Sequence, residues 1–218
     1  MDATERQIIW YAVHNEWGAG TRGASLGPAS LRIEAVRQNA NLFERYPWRE
    51  TWPELLVEDI ETAAPPAKSL ARIHEFFLQS KAQLQEELAE GKFPLVLAGD
   101  HAHAAASIAS LRAQEPEARI GVIWIDAHAD IHTPWTSPSG NVHGMPLGAA
   151  LGLPQPLNPL QEVEAPTRNL WEDYCLLAGT TPWIYPQDLV YIGVRELEYV
   201  EWVLLQEMDI LHFTPEEL

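Results

Sequence analysis

The stretch Asp126-Ala127-His128-Ala129-Asp130 sets three metal-ligand side chains two residues apart. In an extended run, side chains at i, i+2 and i+4 lie on one side, and the alanines between them keep the row compact. Two carboxylates and an imidazole make an oxygen–nitrogen donor set suited to one or two hard divalent cations. The alternative is a polar, alanine-rich turn leaving a strand. The row directly follows the apolar stretch 120–125, which has the length and β-branched content of a buried parallel strand. Open α/β sheets place their sites at the C-terminal ends of such strands.

Two further groups have the same setting. Asp100-His101 follows the apolar run Leu95-Val96-Leu97-Ala98 and opens a helix. His101 is a candidate ligand and Asp100 a candidate partner that orients one; the alternative is an Asp N-cap beside a surface histidine. Ser139-Gly140-Asn141-Val142-His143-Gly144 forms the third group. Its glycines let a loop bend closely around a ligand, Ser139 and Asn141 offer hydrogen bonds, and His143 can carry protons near neutral pH. Either group alone is also an ordinary turn. A parallel sheet, however, brings strand ends together.

The elements that must position these groups alternate. Strands are expected at 7–13, 55–57, 93–98, 120–125, 189–194 and 209–213. Helices are expected from Pro28 to about 39, from 67 to about 90, from 101 to about 113 and up to about 207. A glycine-rich loop, 18–27, follows the first strand. The proline-rich segment 152–186 reads as a long irregular excursion, and 214–218 as the opening of another helix. Alternating strands and helices with continuously apolar strands imply a mostly parallel sheet covered on both faces. His14, His74 and His212 are expected in structural or solvent-facing roles, His103 to face away from His101, Cys175 to be a small buried or loop residue, and Glu86-Glu87 to lie on a solvated helix face.

Length and composition bound the function. At 218 residues and 46% hydrophobic, the chain is long enough for one core-forming α/β domain. Its formal net charge of −17 opposes binding to phosphate backbones and anionic lipid and favours a cationic small molecule. One cysteine leaves no intramolecular disulfide and no Cys-rich zinc module. The N-terminus lacks a signal-peptide profile, and no apolar run reaches the roughly 20 residues of a membrane span. A soluble cytoplasmic protein is therefore expected, without nucleic-acid or membrane partners.

Taken together, the motifs resemble the ureohydrolase family, which includes arginase, agmatinase and guanidinobutyrase. Ala98-Gly99-Asp100-His101-Ala102 stands where that family carries Gly-Gly-Asp-His-Ser, and Asp126-Ala127-His128-Ala129-Asp130 matches its metal signature. The early segment Arg22-Gly23-Ala24-Ser25-Leu26-Gly27-Pro28 and the later strand Val190-Tyr191-Ile192-Gly193-Val194-Arg195 are similar as well. The Ser-Gly-Asn-x-His-Gly loop is closest to the arginase branch. The resemblance implies a three-layer α/β/α sandwich, one domain over 1–218, and a homo-oligomer. It also implies two Mn²⁺ ions that generate a bridging hydroxide, which attacks a guanidinium carbon and releases urea, with L-arginine the leading substrate. His101, Asp126, His128 and Asp130 would be metal ligands, His143 the proton shuttle, and Ser137, Ser139 and Asn141 contacts to the amino-acid end. Glu198 and Glu201 fall where arginases carry acids near the α-amino group.

Three departures accompany the match. His132, at the amino-acid end of the expected substrate, stands where arginases usually have asparagine, and Glu198 stands for the usual aspartate. Hydrolysis of another guanidino acid is therefore the alternative substrate reading. The family's second metal signature and a guanidinium-binding glutamate would follow a helix beginning near Pro215, and this chain stops before them. A fragment with its C-terminal strands missing is expected, ahead of a natural short form or a subunit whose missing strands come from another chain, and weak metal binding by this chain alone is expected with it. A non-catalytic ureohydrolase-like subunit is the competing class.

Overall fold

The computed structural model describes residues 7–53 and 66–218. Its first sheet places β1 (Ile8–Val13) between β2 (Trp48–Thr51) and β3 (Phe93–Ala98), all parallel. In its second sheet β4 (Val122–Ile125) pairs with β5 (Leu189–Ile192), which pairs with β6 (Leu211–Phe213), again all parallel. β1 is buried because its residues are apolar on both faces, with Ile9, Ala12 and Val13 fully enclosed.

Seven α-helices occur among the described residues: α1 (Gly27–Arg37), α2 (Leu42–Arg45), α3 (Leu70–Ala89), α4 (Ala104–Gln114), α5 (Pro146–Ala150), α6 (Ala165–Cys175) and α7 (Tyr199–Glu207). The path β1–α1–β2 steps one way across the first sheet, and β2–α3–β3 returns past β1. Right-handed crossovers then put α1 and α3 on opposite faces, giving helix, sheet and helix layers. Between β1 and β3 the connections leave in opposite directions. The cleft that holds the candidate site is lined from farther along the chain, by segments that follow β3, β4 and β5. The core lies where Ile73, Phe77 and Leu84 of α3 meet Ala105, Ala106 and Ala109 of α4, alanines small enough to let the helices approach.

Several elements differ from expectation. The strand expected at 55–57 lies outside the described residues. β2 was hidden by Arg49 and Glu50, which are exposed because β2 is the edge of its sheet. The excursion 152–186 contains α6. Pro166 suits its first turn, and Trp171, Tyr174 and Cys175 supply a buried side that packs toward α3. Glu87 is not on a solvated face: it is buried and paired with Lys92 and Arg49. His103 and His14 are both buried. His103 takes a 2.7 Å hydrogen bond with Ser80 Oγ, and His14 stacks on Trp52. Among the described residues no helix is long and apolar enough to cross a membrane.

Candidate metal centre and the cleft around it

Two strand ends build the centre. After β3, Asp100 caps a short 3₁₀ turn (His101–His103) by accepting from Ala102 N, and this turn presents His101. After β4, Asp126 N continues the ladder to Ile192 O at 3.2 Å, and the chain then bends. Asp130 sits in the left-handed region at φ 49°, a conformation Asp tolerates better than most residues. The row is therefore not extended. Its bend turns Asp126 and Asp130 together onto His101, whose Nδ1 lies 2.8 Å from Asp126 Oδ2 and 2.9 Å from Asp130 Oδ2.

The three donor atoms all lie within 4.8 Å of one another. The His101 ring is supported from behind by Trp124, stacked at 4.2 Å between centroids. Burial alone would disfavour the imidazolium, but Asp130 and Asp126 outweigh it and hold the His101 pKa above its ordinary value. Two carboxylates facing one imidazole thus gather positive charge, and a hard divalent cation such as Mn²⁺ fits the same oxygen–nitrogen set. His128 stands beside this trio: its Nδ1 is 3.4 Å from Asp126 Oδ1 and its Nε2 3.3 Å from Glu196 Oε2.

The centre borders a cleft of about 400 Å³. His143, Asn141 and Ser139 line it from one loop, His132 and Ser137 from the segment before that loop, and Glu198 and Glu201 from the start of α7. Glu198 and Glu201 form a capping box that fixes the start of α7, with Glu198 N donating to Glu201 Oε2 at 3.1 Å. Burial pushes the Glu201 carboxyl up to about 7 and pulls His132 down to about 4. The Ser137 hydroxyl accepts from Gly140 N and that of Ser139 from Asn141 N, so both shape the loop they belong to.

Eleven of the twelve residues singled out in the sequence line this one cleft; Asp100 lies behind it. Sequence reasoning passed over Glu196 and Lys68. Glu196 lines the cleft two residues before Glu198, so the alternation of acids was a usable signal. Lys68 donates to Asn141 Oδ1 at 3.4 Å from the turn before α3, and nothing local marks it.

Comparison with known proteins identifies the family. The family model described as the arginase family matches residues 7–218. The arginase of Bacillus caldovelox is 36% identical across 98% of this chain and 66% of its own length. Human arginase-1 is 31% identical, with 63% of its length matched. Among solved structures, the 1.7 Å arginase of Bacillus subtilis superposes with a TM-score of 0.77 at 28% identity, covering 97% of this chain and 65% of that one. The chain thus spans about two thirds of the length of these relatives. With the family model matching from residue 7 to the last residue, the chain belongs to the arginase family.

Proposed function

We propose that this cleft serves manganese-dependent hydrolysis of a guanidino compound, with L-arginine to ornithine and urea as the leading reaction. The observation that carries the reading is the convergence of His101, Asp126 and Asp130 at an acid-lined cleft that also holds His143. His101, Asp126 and Asp130 would hold manganese, with His128 as a further ligand. The metal, when bound, supplies Lewis acidity that lowers the pKa of a water molecule.

The chain's own residues do the rest. Asp126, Asp130, Glu196 and Glu198 make the cleft attractive to a guanidinium and an ammonium, and Glu201, which burial pushes up to about 7, adds acceptor oxygens. Glu198 and Glu201 receive the ammonium end, while Ser139 and Asn141, with Ser137 behind them, meet the carboxylate end. His143 delivers a proton to the departing amine, which would otherwise leave as a strongly basic anion.

One observation favours a second substrate. His132 Nδ1 lies 3.2 Å from Thr136 Oγ1, which leaves Nε2 as its one polar atom toward the cleft. An asparagine would offer both a donor and an acceptor. A guanidino acid other than arginine is therefore the alternative. Urea release by the chain in Mn²⁺, from arginine, agmatine and a set of guanidino acids, tests both readings. Release from arginine supports the first, and release from another guanidino acid alone supports the second. A folded, Mn²⁺-treated chain that releases urea from none of them points to a fragment or a non-catalytic subunit. The same assay on a chain extended at its C-terminus separates the two: continued inactivity there contradicts both readings.

A further inference from the structure

The loop that carries His143 is tied to the turn that carries His101 by a third segment. His143 N donates to Gly18 O at 3.0 Å, and Gly18 N donates to Asp100 Oδ2 at 2.9 Å. Asp100 Oδ1 accepts from Ala102 N at 2.9 Å. These three bonds form a continuous path from the 3₁₀ turn, through the loop after β1, to the backbone of His143.

The path has almost no slack. A Cβ at Gly18 would stand 2.7 Å from Ala102 Cβ and 2.9 Å from Asp100 Oδ1, and one at Gly20 would stand 2.9 Å from Asn141 Nδ2. The two glycines let the loop lie between the metal-ligand turn on one side and the cleft loop on the other. A Cβ at Gly18 would press on the Ala102 Cβ, whereas one at Gly20 would meet only the end of the Asn141 side chain, which can turn aside. Asp100 does not line the cleft, but its carboxylate also interacts with His143 through charge, so Gly18→Ala, which keeps that charge, is the variant that reads position alone.

We infer that Asp100 and the Gly18–Gly20 turn are positioning residues: together they set the separation between His143 and the His101 turn. The functional meaning of this strut rests on the reading of His143 as the proton carrier, but its existence does not.

The test observes the position of His143 directly. In the full chain labelled with ¹⁵N-histidine, ring resonances are assigned to His143 by their loss in His143→Gln. Asp100→Asn is isosteric and keeps one acceptor oxygen, but turns an amide N–H₂ toward a backbone donor. It is expected to move the His143 ring signals by more than their linewidth while those of His74 and His212 stay in place. Gly18→Ala is expected to do the same, and Ala102→Gly in that background to bring the signals back toward the wild-type position by removing the closest contact. Unmoved His143 signals in folded Asp100→Asn and Gly18→Ala would overturn the inference. So would general unfolding of Asp100→Asn, which would make Asp100 a support of the whole fold. A separate failure of His143 as proton carrier would show as undiminished urea release by His143→Gln while the ring signals still move in Asp100→Asn and Gly18→Ala.

Discussion

His132 Nε2 lies 3.6 Å from Glu201 Oε1 and 3.7 Å from Glu198 Oε2, so an imidazole faces two carboxyl groups at one end of the cleft. Burial drives His132 and Glu201 toward their neutral forms, to about 4 and about 7. A neutral imidazole committed to Thr136 on one nitrogen has one polar atom for a substrate. The relation therefore bears on which guanidino compound fits.

His132→Asn should tighten the binding of arginine in Mn²⁺ about tenfold, the worth of one added hydrogen bond. Calorimetry on the two proteins reads this. Unchanged or weaker arginine binding would mean that His132 is itself matched to the ligand and that the alternative substrate is the better reading.

Cys175 should be inert in the folded chain. Burial penalises its thiolate and raises the thiol to about 12, against roughly 8.5 for a free cysteine. At pH 8 the thiolate fraction is then lower by about three orders of magnitude, and a disulfide reagent should label folded protein about 10³-fold more slowly than protein in urea. The stability contribution has a matching sign. The unfolded chain loses this proton above about pH 8.5 and the folded chain keeps it, so stability falls as pH rises toward 12, and Cys175→Ala should lessen that fall. Equal labelling rates in the two states would contradict the burial of the thiol.

Arg112 is buried, and among the described residues it donates to backbone carbonyls. Its Nε donates to Trp183 O at 2.8 Å, and one terminal nitrogen donates to Pro116 O at 3.0 Å and Ala118 O at 2.8 Å. It ties the end of α4 to the segment before β5. Arg112→Ala should cost roughly 3 kcal/mol by leaving buried carbonyls without donors. Arg112→Lys should recover little of this, since an ammonium cannot reproduce the planar fork. Chemical denaturation measures both. A loss below about 0.5 kcal/mol for Arg112→Ala, the usual range of surface changes, would contradict the account.

What could be read from the sequence was local. The apolar runs of β1, β3 and β4 and the amphipathic α3 are continuous in the chain, and so is the row Asp126 to Asp130. The convergence on His101 was not local. It depends on the left-handed backbone at Asp130 and on the meeting of the ends of β3 and β4, which belong to different sheets, and neither leaves a periodic trace. β2 was illegible because an edge strand can carry charge, and α6 because its prolines outweighed the spacing of Trp171 and Tyr174. Glu87 misled for a related reason: its partner Arg49 lies 38 residues away. Asp100 was legible as a cap. Its link to His143 through Gly18 joins three segments distant in sequence.

The most direct test of the whole account is manganese uptake by the chain, followed as loss of the free Mn²⁺ signal in electron paramagnetic resonance. Asp130→Ala removes one of the two carboxylates facing His101, and Glu90→Gln serves as an exposed control. The account expects uptake by the unaltered chain and the control, and at least about tenfold weaker uptake by Asp130→Ala. Equal uptake by all three proteins would contradict a metal centre at His101, Asp126 and Asp130.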